Sequence, residues 1–316
     1  VIQYHDGIAL LPWRLAVHPE VLGAQFTIHV ERRPMWVIFP SFIDGEMSAP
    51  LDEFGQELRE PRGRQPALSW GFRARNDLYN IRSLRIRFFQ DFGSVQDQLT
   101  ELSAIADTLF ESLHTVQQWG AILGGQLSAD PGDVLSRGTT LRIATTLHPV
   151  QSGFGGVQHS LSLGGIVGLK RHQVAEIFDR VSTGQGIPPE RQLLLSARAG
   201  LFENDFRRSV IDAGTAAEVA LATSISRQLK ARAVSTSFIE SAIINANGVA
   251  GLTALAISLG DAVPVSKNRV ADRLAKVRNR AAHGGVVPSP DEAHSAYALA
   301  RTLVDHACPL DIPTDQ

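Results

Sequence analysis

Thr183-Gly184-Gln185-Gly186-Ile187-Pro188-Pro189 separates two kinds of pattern in the chain. Paired glycines and paired prolines so close together continue neither a helix nor a strand, so the stretch reads as a boundary. Ahead of it, apolar residues alternate in short runs, the period of strands. Beyond it they recur every three or four residues, the period of helices. The expectation is an α+β protein, with a mixed, strand-rich domain over 1–184 and an all-α helical bundle over 187–316. A length of 316 residues suits two domains, and 44% hydrophobic content is ample for two cores.

In the first half, Gln25-Phe26-Thr27-Ile28-His29-Val30 alternates, and Met35-Trp36-Val37-Ile38-Phe39 follows Arg33-Pro34 closely enough to form a hairpin with it. Ala67 to Phe72 and Leu84 to Phe89 read as further strands. The second sets Arg85 and Arg87 between apolar residues, which predicts a half-exposed sheet. Glu57 to Gln65 is a polar loop. Ser94 opens a helix to about Trp119, with Leu99, Leu102, Ile105, Ala106, Leu109 and Leu113 as its apolar stripe. Gly120 to Gly138 reads as loop and Thr139 to Leu147 as strand. Gly153-Phe154-Gly155-Gly156 and Gly164-Gly165-Ile166-Val167-Gly168 lack the Lys-Ser/Thr of a Walker loop, so turns and close packing are expected there. The expected role of this half is sensing, targeting or regulation, with a regulatory partner docking on it.

In the second half, Pro189 suits a first helical turn, and Leu193, Leu194, Ala197 and Leu201 follow it at helical spacing. Asp205 is placed to cap a helix from Phe206 to about Leu229. Glu218 falls among the small apolar residues of that helix, so it needs a cation or a backbone N–H as partner, and Arg278 is a candidate. Shorter helices are expected over Phe238 to Asn245 and Gly251 to Leu259, then a basic helix from Ser266 to His283. Ser289-Pro290-Asp291-Glu292 is a complete helix start, with N-cap Ser, Pro at the first position and Glu at the third.

The basic helix closes on Arg278-Asn279-Arg280-Ala281-Ala282-His283, followed by Gly284-Gly285. Cleaving RNA without a metal needs a base for the 2′-OH proton and a fixed cation for the charge that builds on phosphoryl oxygens. A histidine such as His283 suits the first role. Arg278, a planar and permanently charged fork, suits the second. Asn279 lies one helical turn before His283 and can orient it. Positions five apart on a straight helix point about 140° apart. Arg278 and His283 therefore meet at one phosphate only through the reach of the Arg side chain, a bent last turn or a second copy of the motif. Val270, Leu274, Val277 and Ala281 form the apolar stripe. Arg269, Arg273, Lys276 and Arg280 form a second, cationic stripe that suits an RNA backbone.

The hexamer resembles the RNxxxH form of the Rx4–6H motif of HEPN ribonucleases and RNA-binding modules. Ala197 to Gly200, Asp205 to Val210 and Ala213 to Glu218 are similar to the opening helices of that family, and the capped helix after Gly284-Gly285 matches its close. The resemblance spans roughly Pro188 to Leu310. It implies a helical bundle that pairs as a homodimer. It also implies a metal-independent endoribonuclease acting by 2′-OH attack, in a toxin or anti-phage setting. The catalytic residues would be Arg278, Asn279 and His283, with Glu218 in support and RNA as partner. The alternative is a non-catalytic module that binds RNA, a nucleotide or a protein.

The net charge of −2 confines any polyanion-binding surface to a local patch. The scattered histidines and the lone Cys308 show no metal-ligand spacing, so neither metal nor cofactor is expected. No apolar run is long enough to span a membrane, and nothing near Val1 reads as a basic-then-apolar leader. With one cysteine, the expectation is a cytoplasmic protein.

Overall fold

The computed structural model describes residues 4–30, 33–48, 70–73, 77–89, 95–123, 141–143 and 168–310. It is an α+β protein, with a strand-rich N-terminal region and a helical C-terminal region. The chain divides into two compact units, Val1–Gly186 and Ile187–Gln316. Among the described residues, no helix is long and apolar enough to cross a membrane.

The first unit is built on a curled antiparallel sheet. Its elements are β1 (Tyr4–Val17), β2 (Gln25–Val30), β3 (Arg33–Ile38), β4 (Ser41–Ile43), β5 (Glu46–Ser48), β6 (Gly71–Arg73), β7 (Tyr79–Phe89), α1 (Val95–Leu123), β8 (Leu141–Ile143) and α2 (Arg171–Ser182). The main sheet runs β2-β3-β7-β1-β8. β6 joins β7 beside Tyr79 to Ile81, while β3 joins it beside Arg85 to Phe88. β4 and β5 form a separate two-stranded hairpin. Phe26, Ile28 and Val30 alternate inward on β2, as its sequence predicts. Pairing of β1 with β7 shifts register between Leu10 and Leu15, across Pro12, which has no N–H to give a ladder.

Arg85 and α2 both depart from what the sequence pattern leads one to expect. Arg85 is not on a half-exposed face: it is 2% exposed, with Ser83 buried on the same face and Leu84 and Ile86 on the other, so both faces of β7 are covered there. Alternation along a strand does not say whether its second face is covered. The other departure is α2, a stretch to which sequence reading gives no element. Val174, Ile177, Phe178 and Val181 form its buried face, and the Phe178 ring stacks on Phe26 with centroids 5.4 Å apart. Glu20 accepts the Arg171 N–H, and the Gln173 side chain accepts that of Lys170, so the start of α2 is capped.

The α1 helix continues four residues past Trp119, to Leu123, with Ile105, Leu109 and Leu113 buried as expected. Gly120 lies inside it, where an added Cβ would come within 3.4 Å of Leu15 and Leu169. Gly168 is closely packed: a Cβ there would lie 3.2 Å from the His18 backbone nitrogen. The expected loops at Glu57 to Gln65 and 124–138, and the glycine cluster at 153–156, fall outside the described residues, as do the strand positions 67–69, 139–140 and 144–147.

The second unit is all helix: α3 (Pro189–Phe202), α4 (Phe206–Ala231), α5 (Thr236–Ala246), α6 (Val249–Ser258), α7 (Lys267–Val270), a π-helical segment (Ala271–Ala275), α8 (Lys276–His283) and α9 (Pro290–Ala307). α4 is the central helix. Val210, Ala213, Ala216, Ala217, Ala220, Leu221 and Ile225 are fully buried on it, and the small size of the alanines lets neighbouring helices approach. Burying one such Leu or Ile contributes about 1.5–3 kcal/mol. Asp205 caps α4 by accepting the Arg208 N–H. At the other end of the bundle, cations close the C-terminus of α9. Arg191, 5% exposed, pairs with Asp305 and donates to the Cys308 carbonyl, while Arg227 donates to that of Ala307.

Candidate functional site

The site is built on the helix that Ser266 opens, its side chain accepting the Arg269 N–H. The sequence predicts one continuous α-helix to His283. The structure instead places a π turn at Ala271–Ala275, where Lys276 N–H donates to the Ala271 carbonyl, five residues back. A π turn holds one residue more than an α turn and recurs at functional sites. It moves the register of α8 by that residue relative to α7. Val270, Leu274, Val277 and Ala281 are all buried across it, the stripe the sequence predicts. α8 stops at His283: Gly284 N–H returns to the Arg280 carbonyl, and Gly285 turns left-handed at φ 64°.

Arg278, Asn279, Arg280 and His283 on α8 line one cleft with Glu218 of α4, Ala275 of the π turn and Asn247, Gly248, Val249 and Ala250 at the α5–α6 corner. Its volume is about 530 Å³. Both Arg278 and His283 therefore face one cavity within a single chain, despite their spacing along the helix. Asn279 and His283 are exposed, and Arg278 is half-buried.

Glu218 has both kinds of partner its sequence context requires. One carboxylate oxygen lies 3.7 Å from Arg278 Nη2, with both side chains 24% exposed. The other accepts the Val249 N–H at 3.3 Å and so caps α6, whose N-cap residue Gly248 has no side chain to do so. Gly214, one turn earlier on α4, makes room for the Arg278 stem: an added Cβ would come within 2.9 Å of Arg278 Cγ. Arg278 also donates through Nη1 to Asn279 Oδ1 at 3.3 Å, while its Nε is buried with no acceptor among the described residues. An unsatisfied buried donor is costly, and a bound anion is one way to relieve that cost.

Arg280 pairs with Glu292 in the capping box of α9. The Ser289 N–H and the Arg280 guanidinium together hold the Glu292 carboxyl below the usual carboxylate range. Of the four stripe cations only Arg280 lines the cleft. Arg269, Arg273 and Lys276 are exposed on the same helix but outside the cleft lining. The sequence reading misses Gly214 and the α5–α6 corner. The Asn247-Gly248 pair, typical left-handed turn chemistry, was the available signal.

The arrangement offers a fixed cation, an imidazole and a carboxamide around a space fit for a small ligand, with one carboxylate anchoring the cation. Comparison of the chain with protein-family models, curated proteins and solved structures found no match.

Proposed function

We propose that the helical unit is a metal-independent endoribonuclease of the HEPN kind. The observation that carries this reading is the convergence of Arg278, Asn279, His283 and Glu218 on one cleft of about 530 Å³, large enough for more than a phosphate alone. His283 takes the proton from the ribose 2′-OH. The 2′-oxygen then attacks phosphorus, the bond from phosphorus to the 5′-oxygen breaks, and that oxygen takes a proton from solvent. The products are a 2′,3′-cyclic phosphate and a free 5′-OH. Arg278 stabilises the charge on the phosphoryl oxygens as the bond breaks. Asn279 orients, and Glu218 positions Arg278. Arg280, with Arg269, Arg273 and Lys276 beyond the cleft, holds the flanking RNA backbone.

The resemblance of the hexamer and the capped last helix to that family supports a toxin or anti-phage setting in the cytoplasm, a homodimer through the helical unit, and a regulatory partner on the strand-rich unit. Light scattering across micromolar concentrations tests the dimer. An RNA-cleavage assay tests the reaction: the wild type cuts with excess chelator present, and Arg278→Ala and His283→Ala do not. RNA that binds without being cut by the wild type would leave the non-catalytic binding module as the reading.

A further inference from the structure

We propose that the α5–α6 corner is a nucleobase subsite in which the Asn247 side-chain amide reads the base; the proposal rests on the ribonuclease reading for its ligand. The cations of the cleft lie on one side, and its one carboxylate, Glu218, is engaged by Arg278 and the Val249 N–H. Arg278, Arg280 and His283 all come from α8, whereas Asn247, Gly248, Val249 and Ala250 place no charge on the wall they form. A phosphate belongs on the first wall and occupies only part of the space. The cleft, at about 530 Å³, falls within the range of pockets that enclose whole small molecules, roughly 300–1,000 Å³. The group next to a ribose phosphate on a wall without cations is the base.

Asn247 is held where such a reader must be. It closes α5 at φ 52°, and Gly248 follows at φ 87°, so two successive left-handed residues set the corner. The corner is closed by backbone packing, since a Cβ on Gly251 would lie 1.4 Å from the Ala246 carbonyl oxygen. Asn247 N–H is spent on the Ile244 carbonyl, but its exposed side-chain amide makes no hydrogen bond among the described residues. A carboxamide presents a donor beside an acceptor, the pairing that recognises a base edge. Asn also tolerates the left-handed region for purely local reasons, and a test must separate that role from recognition.

The test titrates the four nucleoside 5′-monophosphates, and ribose 5-phosphate as the base-free control, into full-length His283→Ala protein. The same titrations are made with Asn247→Gly added, which keeps the left-handed backbone, and with Asn247→Asp added, which keeps the shape, removes the donor and adds a negative charge. At least one nucleotide should bind about tenfold or more tightly than the sugar phosphate. Both Asn247 variants should lose that advantage, measured against the sugar phosphate in the same variant; Asn247→Gly should bind the sugar phosphate unchanged, and Asn247→Asp more weakly. Nucleotides that bind no better than ribose 5-phosphate, or an advantage that survives both variants, would overturn the subsite. RNA cleavage by the wild type is scored separately. Base-dependent binding without cleavage keeps the subsite and removes the ribonuclease reading; cleavage without base-dependent binding does the reverse.

Discussion

Glu218 on α4 holds Arg278 on α8 at 3.7 Å with one carboxylate oxygen and the N-terminus of α6 with the other. One side chain thus ties the cation of the site to the corner opposite it. Glu218→Ala should cost about 1.5–3 kcal/mol in urea denaturation, the usual range for hydrogen bonds to a charged group. It should also free Arg278, so that kcat for RNA cleavage falls on the order of a hundredfold while RNA binding does not weaken. A loss confined to KM would show that Glu218 does not position the cation.

Gly214 is a second positioning residue. Gly214→Ala gains roughly 1 kcal/mol of helix propensity and loses roughly 1–3 kcal/mol to overpacking against Arg278 Cγ. The fold should survive, with a melting temperature within several degrees of wild type, while cleavage falls more than about tenfold. Wild-type activity in this variant would mean that the Arg278 stem is free to move aside.

Glu292 supplies a pH dependence with a definite sign. Its carboxyl is held low in the folded chain, first by the Ser289 N–H and then by Arg280. A depressed folded value stabilises the protein above the unfolded glutamate value of about 4.3, and that contribution disappears as pH falls through the lower folded value. Glu292→Gln keeps the capping box but not the charge. Wild type should therefore be the more stable at pH 7, and the gap in urea denaturation should close on acidification below about pH 4. A gap constant with pH would contradict the assignment. The variant also leaves Arg280 unpaired in the cleft, so RNA binding should tighten.

Arg269, Arg273 and Lys276 lie outside the cleft lining but on the helix that carries it. As contacts to flanking phosphates they should act on grip and not on chemistry. In a His283→Ala background, each Ala substitution should reduce the salt dependence of log affinity by about 0.7 for a single strand. An unchanged slope in the triple variant would make this face merely solvated.

Much of the helical unit is legible in its sequence because its longest helices carry their own start signals and stripes. Asp205 and Ser289 cap where their positions predict, and Ser266, the expected start of the basic helix, caps it. The partner of Glu218 is legible from a burial argument alone. The π turn is not, since Ala271–Ala275 is composed of good helix formers and one Asp, with no Gly or Pro to mark it. Nor is the placement of the cationic stripe, because periodicity places residues on a helix face and not against a neighbouring helix. Arg280 faces the cleft and meets Glu292, which lies twelve residues on. In the strand-rich unit, Arg85 misleads because alternation reports one face only. The α2 stripe of Val174, Ile177, Phe178 and Val181 is present in the sequence but competes with a loop reading beside the glycine-rich stretch before it.

The most direct measurement is the identity of the 3′ end left on RNA by the full-length protein, compared between wild type and His283→Ala. Wild type should leave a 2′,3′-cyclic phosphate opposite a free 5′-OH, in the presence of chelator, and His283→Ala should leave intact RNA. A 3′-OH opposite a 5′-phosphate, or cleavage by His283→Ala at the wild-type rate, would contradict the assignment of His283 as the base.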